Sequence, residues 1–233
     1  MRGLGLLIRE QTKDLQRLCL PGVKCLDEED LVELVESSTL KALDSLHLQS
    51  LDGRCFEYDR ESGFQVRKCR LSTEMTARMW SCLRSFISLN HLTISDSSLS
   101  FTPSPPELLS VTKLSAESVT SQSYEGLLSS LHGLEKIDIT IDDAERDIPQ
   151  ITAGLRRTVG QQLTSINLTA PDSLPSEKSS VSRETMRGLG LLIREQTKNL
   201  QWLDLTRVKC TDEEDLVDLI ECCRRVKTMS CVW

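Results

Sequence analysis

Aromatic side chains are scarce: three Trp, two Tyr and four Phe make up 4% of the 233 residues. With Leu used heavily, whatever packs inside is expected to be aliphatic and repetitive. Histidine is scarcer still. His47, His91 and His132 are the only three, and none stands in the context of an activated Ser or Cys nucleophile, so enzymatic activity is not expected. Long apolar runs are missing as well. No stretch approaches the roughly eighteen residues a membrane helix needs, and with 27% charged and 39% apolar residues the chain is neither membrane-spanning nor disordered. Positive charge is in deficit, 28 Lys and Arg against 35 Asp and Glu for a net −7. That removes the cation excess with which a dedicated nucleic-acid binder neutralises phosphates. The nine cysteines are odd in number and scattered. No CxxC has a second pair to complete a zinc site, and the vicinal Cys222 and Cys223 read as one buried and one exposed thiol. Reduced thiols in the cytoplasm are expected. A GxxxxGK[ST] phosphate loop is absent too. GLGLL, at 3–7 and 188–192, has too few glycines for a dinucleotide fingerprint and reads as helix packing. No metal and no cofactor are expected.

What is present is repetition. Residues 1–36 and 186–221 are identical at 28 of 36 positions. The N-terminal MRGLGLLIRE, broken by Arg9 and Glu10 and copied deep in the chain, is therefore structure and not a secretion signal. The duplicated block contains LxxLxL, as Leu15, Leu18, Leu20 and again as Leu200, Leu203, Leu205. The spacing recurs at Leu43, Leu46, Leu48; at Leu89, Leu92, Ile94; at Leu134, Ile137, Ile139; and at Leu163, Ile166, Leu168. Weaker forms are Val66, Cys69, Leu71; Val111, Leu114, Ala116; and Val226, Met229, Cys231. The middle residues fall at 18, 46, 69, 92, 114, 137, 166, 203 and 229, mostly 22 to 29 apart. Each is expected to sit on a short strand, with its neighbours pointing to the opposite face.

Between these strands the period lengthens to that of a helix. Met75, Met79, Cys82, Leu83 and Phe86 share one face, as do Tyr124, Leu127, Leu128 and Leu131. Ile148, Ile151, Leu155 and Val159 form another, with Pro149 tolerable in a first turn. Leu216, Leu219 and Ile220 follow DEED at 212–215, whose carboxylates suit a helix N-terminus better than a calcium site. The pattern lapses at 52–63, at 102–106, and at 171–184, a Ser/Pro-rich surface insertion.

Nine LxxLxL segments at this spacing resemble the leucine-rich repeat domains of the ribonuclease-inhibitor type, and most closely the irregular arrays at the C-terminal end of nucleotide-binding, leucine-rich-repeat (NLR) innate immune receptors. The resemblance covers nearly the whole chain. It implies one α/β domain over 1–233, about nine irregular repeats forming a horseshoe solenoid, with a parallel concave sheet and convex helices. It departs from the family at the Asn or Cys position of the turn, held here by Val23, Leu51, Glu74, Ser97, Val119, Asp142, Pro171 and Val208. The function implied is recognition of a protein or peptide by a ligand-sensing or regulatory region. The alternative is the substrate-recruiting repeat region of an F-box-type ubiquitin ligase.

On that arrangement the residues flanking each middle position face the concavity. They include Arg17, Lys68, His91, Lys113, Lys136 and Trp202 on one side, and His47, Arg70, Asp138, Asn167 and Asp204 on the other. The basic members form a cluster on an otherwise acidic chain and point to an acidic peptide, protein or phosphate-bearing ligand. Trp202 is the candidate anchor. The duplicated block differs at all three positions assigned to this face: Arg17 becomes Trp202, Cys19 becomes Asp204 and Pro21 becomes Thr206. Random scatter gives that outcome roughly once in a hundred, so the face is read as diversified on a retained framework. The chain is expected to be part of a longer array. Its terminal Leu4, Leu7, Ile8, Val232 and Trp233 would then be open to self-association.

Overall fold

The computed structural model describes residues 17–23, 45–50, 55–59, 63–67, 70–71, 73–84, 89–95, 98–99, 107–117, 119, 124–158 and 162–231. In chain order the strands are β1 (Arg17–Val23), β2 (Ser45–Ser50), β3 (Cys55–Asp59), β4 (Gly63–Arg67), β5 (Arg70–Leu71), β6 (His91–Ser95), β7 (Ser98–Leu99) and β8 (Lys113–Glu117). They continue with β9 (Lys136–Thr140), β10 (Ser165–Thr169), β11 (Ser180–Val181), β12 (Trp202–Leu205), β13 (Lys209–Cys210) and β14 (Thr228–Cys231). The helices are α1 (Thr73–Leu83), α2 (Tyr124–Ser129), α3 (Ala144–Arg157), α4 (Ser176–Ser179), α5 (Arg183–Gln196) and α6 (Glu213–Cys222). No described helix is long and apolar enough to cross a membrane.

The fold is α/β. Ten strands form one sheet in the order β1-β2-β3-β4-β6-β8-β9-β10-β12-β14, mostly parallel. Alternation along each strand decides its two faces. Leu114 and Ala116 of β8, Ile137 and Ile139 of β9, Ile166 and Leu168 of β10, and Leu203 and Leu205 of β12 are buried. The register runs Leu92, Leu114, Ile137, Ile166, Leu203, Met229 across six successive parallel strands, and Leu18 pairs with Leu46. These are the middle residues of the LxxLxL segments. Five strands, β8, β9, β10, β12 and β14, are entered through the same bond pair. The carbonyl of Asn90 accepts the N–H groups of Thr112 and Lys113, that of Thr112 those of Glu135 and Lys136, and that of Glu135 those of Thr164 and Ser165. Thr164 does the same for Gln201 and Trp202, and Gln201 for Lys227 and Thr228. One carbonyl per turn thus pins the next strand in register.

The helices cover the buried face, α2 packing on α3, α3 on α5 and α5 on α6. Their inward residues include Leu127 and Leu128, Ile148, Ile151 and Leu155, Leu189 and Leu192, and Leu219. Side chains close the N-termini. Asp143 accepts from Arg146 N, Ser182 from Thr185 N, and Asp212, the first residue of DEED, from Glu214 N. Gly190, in the second GLGLL, lies where a Cβ would come 3.2 Å from Cys222 Sγ, which lets α5 and α6 approach. Among the described residues Trp80, Tyr124 and Phe56 are the largest fully buried side chains.

Three expectations are corrected. The sheet is not parallel throughout, since β3 runs antiparallel to both β2 and β4. Cys69 is not a core strand position: β4 ends at Arg67, and Phe64, not Cys69, pairs with Leu92. Only short segments join β2, β3 and β4, too short for the crossover of a dozen or more residues that a parallel return requires. Pro149 is the sixth residue of α3 rather than a first-turn residue. It and Glu145, whose carbonyl loses its helical donor, are both exposed, so water can replace the missing N–H.

The 171–184 stretch is exposed through Asp172–Ser173 and 175–178, then returns to the core at Ser179 and Val181. β11 within it pairs with β13. Arg207 holds this segment through Asp172 at 2.7 Å and adopts a left-handed φ of 66°, at a position where the other copy of the block carries Gly22. Leu4, Leu7, Ile8, Val232 and Trp233 lie outside the described residues.

Candidate functional site

The sheet face turned away from the helices is polar and open. Its first row is set by the residue preceding each buried position, and the ladder brings His91, Lys113, Lys136, Ser165, Trp202 and Thr228 side by side. The second row carries Thr93, Ser115, Asp138, Asn167, Asp204 and Ser230. With parallel strands about 4.8 Å apart, His91 and Trp202 stand roughly 19 Å from one another. That span suits a peptide or a protein surface better than a small molecule.

Within the rows the contacts are specific. His91 Nε2 lies 3.2 Å from Ser115 Oγ and 3.3 Å from Thr93 Oγ1. Asn167 Nδ2 donates to Asp138 Oδ1 at 2.8 Å. Asp204 Oδ1 accepts the backbone N–H and the hydroxyl of Thr206. Asp138, Asn167 and Asp204 are thereby braced, whereas Lys113 and Lys136 are exposed and adjacent on neighbouring strands. Like charges opposite each other on a sheet are destabilising unless something neutralises them. Trp202, 46% exposed, is the large apolar side chain of this face.

The structure divides the expected basic cluster. Arg70 belongs to β5, which pairs with β7 in a separate two-stranded sheet, so it does not join Lys113 and Lys136 on the ten-stranded sheet. Lys68 lies outside the described residues. His47 is on β2, in register with Cys19 and Glu57, and only its backbone is described. Arg17 is exposed on β1, across the antiparallel strands from the lysines. Further polar groups, Gln65, Glu117 and Thr140, share the face with the expected Asp138. Gln65, Thr93, Ser115, Glu117, Asp138 and Thr140 line a shallow hollow of about 220 Å³. Its volume is below the roughly 300 Å³ at which small-molecule pockets begin. Glu117 was legible, being one further alternation along β8 from Ser115. The face is therefore banded, with lysines at the strand entrances and carboxylates toward the exits.

Three thiols are held up rather than lowered. Burial first, then the neighbouring Cys222 and Cys231, push the Cys223 thiol up to about 12, and burial also raises Cys210 and Cys231. Cys222 is half-buried beside it. Among the described residues no group of His, Cys, Asp or Glu could hold a metal ion. No protein-family model matches the chain, and no curated protein matches it.

Proposed function

We propose that the chain is a leucine-rich repeat solenoid of the ribonuclease-inhibitor type. In this reading it is a non-enzymatic, cytoplasmic recognition region of an NLR-like innate immune receptor that binds a protein or peptide on its open sheet face. The observation that supports this most is the unbroken register from Leu92 to Met229. Neighbouring strands follow one another along the chain with helices on one side, as a solenoid requires, and this supports reading the continuous polar face as the recognition surface. The charge bands orient the partner, with acidic groups over Lys113 and Lys136, donors over Asp138 and Glu117, and an apolar contact on Trp202.

Peptides selected from a random display library against the chain test this. Trp202→Ala, or Lys113→Glu with Lys136→Glu, should each weaken selected binders by about tenfold or more, about 1.4 kcal/mol, and binding should fall with salt. Binders indifferent to both variants would remove this face from the reading. The receptor context is tested in the intact open reading frame. An upstream phosphate-binding loop supports it, and an F-box in its place replaces it.

A further inference from the structure

A second surface lies on the opposite side of the molecule, between α5 and α6. The two helices flank a groove of about 730 Å³, within the range of pockets that bind drug-sized ligands or peptide side chains. Arg183, Arg187 and Arg194 follow one another at separations of four and seven, which places them along one face of α5, and Lys198 stands just beyond its C-terminal end. Arg224 and Arg225, just beyond the end of α6, complete the rim, against Asp218 and Glu221. Leu191 and Val226 are half-buried in the lining, over the buried Met186, Ile193 and Leu219.

The acids around this rim pair with three of its six cations. Arg183 faces Asp215 at 3.2 Å, Glu214 at 3.6 Å and Asp218 at 3.8 Å, and Arg224 faces Glu221 at 3.5 Å. Arg194 meets its chain neighbour Glu195 at 3.5 Å, both exposed. Arg187, Lys198 and Arg225 have no ion pair among the described residues, on a chain whose net charge is −7. Helix dipoles account for cations near the C-terminal ends of α5 and α6, but not for Arg187, which lies in the first half of α5. The duplicated block repeats this stripe as Arg2, Arg9 and Lys13 while the three assigned concave positions all changed.

We propose that this groove binds an acidic peptide segment carrying apolar side chains. Its carboxylates would meet Arg187, Lys198 and Arg225, and its apolar groups would enter over Leu191 and Val226. The length of the stripe decides between polyanions. From Arg183 to Arg194 is about 16 Å at the helical rise of 1.5 Å per residue, and Lys198 extends the line beyond the helix end. The cations are strung along a line rather than converging on a point, as capture of a phosphate group requires. The apolar floor favours side chains of a peptide over the sugar and phosphate of a nucleic acid.

The test uses a synthetic library of peptides of about twelve residues, combining Glu and Asp with Leu, Ile, Met and Phe, long enough to span the groove. Binding to the whole chain is read by fluorescence anisotropy, and amide exchange locates the contact. Expected are binders that protect α5 and weaken with salt, and that lose about tenfold or more in affinity when Arg187, Lys198 and Arg225 are all reversed to Glu. The milder Arg187→Gln, Lys198→Gln, Arg225→Gln variant should lose less, with both variants retaining the parent circular dichroism. Lys113→Glu with Lys136→Glu should leave these binders unchanged, which separates this groove from the sheet face. The proposal is overturned if no library member binds below millimolar concentration, or if affinity ignores the charge reversal. A single-stranded oligonucleotide or inositol hexakisphosphate of matched charge displacing the peptides at lower concentration would overturn it too.

Discussion

From Leu92 to Met229 each strand is followed by its parallel neighbour, whereas between Ser45 and Arg67 the sheet reverses direction twice. Both regions use the same ladder and the same inward rows. Tyr58, Phe64 and Leu92 continue the buried line that Leu114 and Ile137 extend, and Leu46 pairs with Tyr58 in register. What differs is the chain between strands. β6 and β8 are separated by 96–112, but β3 and β4 only by 60–62. Strand direction is thus set by connection length, while register is set by the apolar rows. The reversed region also has its own packing device, since the Phe56 and Phe64 rings meet edge to face with centroids 4.3 Å apart.

Truncating the aromatic pair is the strongest way to break this comparison. Phe64→Ala should cost about 3–5 kcal/mol, and Leu114→Ala, fully buried between Leu92 and Ile137, about 2–5 kcal/mol. Urea denaturation with amide exchange distinguishes the outcomes. Comparable losses with protection falling across the whole sheet mean that the reversed strands belong to one cooperative core. A Phe64→Ala loss confined to 45–67 would make them a separate unit.

Gly63 sharpens the point at a single residue. It opens β4 with a φ of +86°, and a Cβ there would stand 2.0 Å from the carbonyl oxygen of His91. Gly63→Ala should therefore cost more than about 1 kcal/mol, through both strain and the displaced neighbour. A thermal midpoint unchanged from the parent would show that the hairpin and β6 separate freely.

The smallest expected effect lies in the parallel region, where Glu145 of α3 ties the start of α5. Its carboxylate accepts from Ser182 N and Ser182 Oγ, each at 2.6 Å, and from Thr185 Oγ1 at 3.0 Å. Burial works to raise its pKa, and the hydrogen bonds of Ser182 and Thr185 outweigh it, leaving the group below its usual 4.5. A depressed folded pKa contributes stability that is complete above the unfolded pKa and is lost as pH falls through the folded one. Glu145→Gln should therefore flatten the acid side of the stability profile below about pH 4.5. A profile identical to the parent would mean that solvent screening cancels the tie.

Sequence alone placed most of this molecule because its signals are local. Period-two alternation located six strands of the main sheet and which of their residues point outward, while their parallel direction entered with the family resemblance. Asp212 was legible as a cap because a carboxylate at a helix start answers unpaired N–H groups within the same turn. Trp202 was legible as exposed because its neighbour Leu203 had to be inside. Other features depend on chain segments that meet only after folding. Val66, Cys69, Leu71 matched the repeat spacing, yet Phe64 took the core position, because the short connection before it demanded a hairpin. Arg70 fitted the alternation but left the main sheet with β5. Neither the acidic end of the sheet face nor the basic groove between α5 and α6 follows from spacing within one repeat. Lys113 stands beside Lys136, and Arg187 and Arg225 line one groove, only because consecutive crossovers stack strand on strand and helix on helix, and that stacking is a property of the tertiary structure.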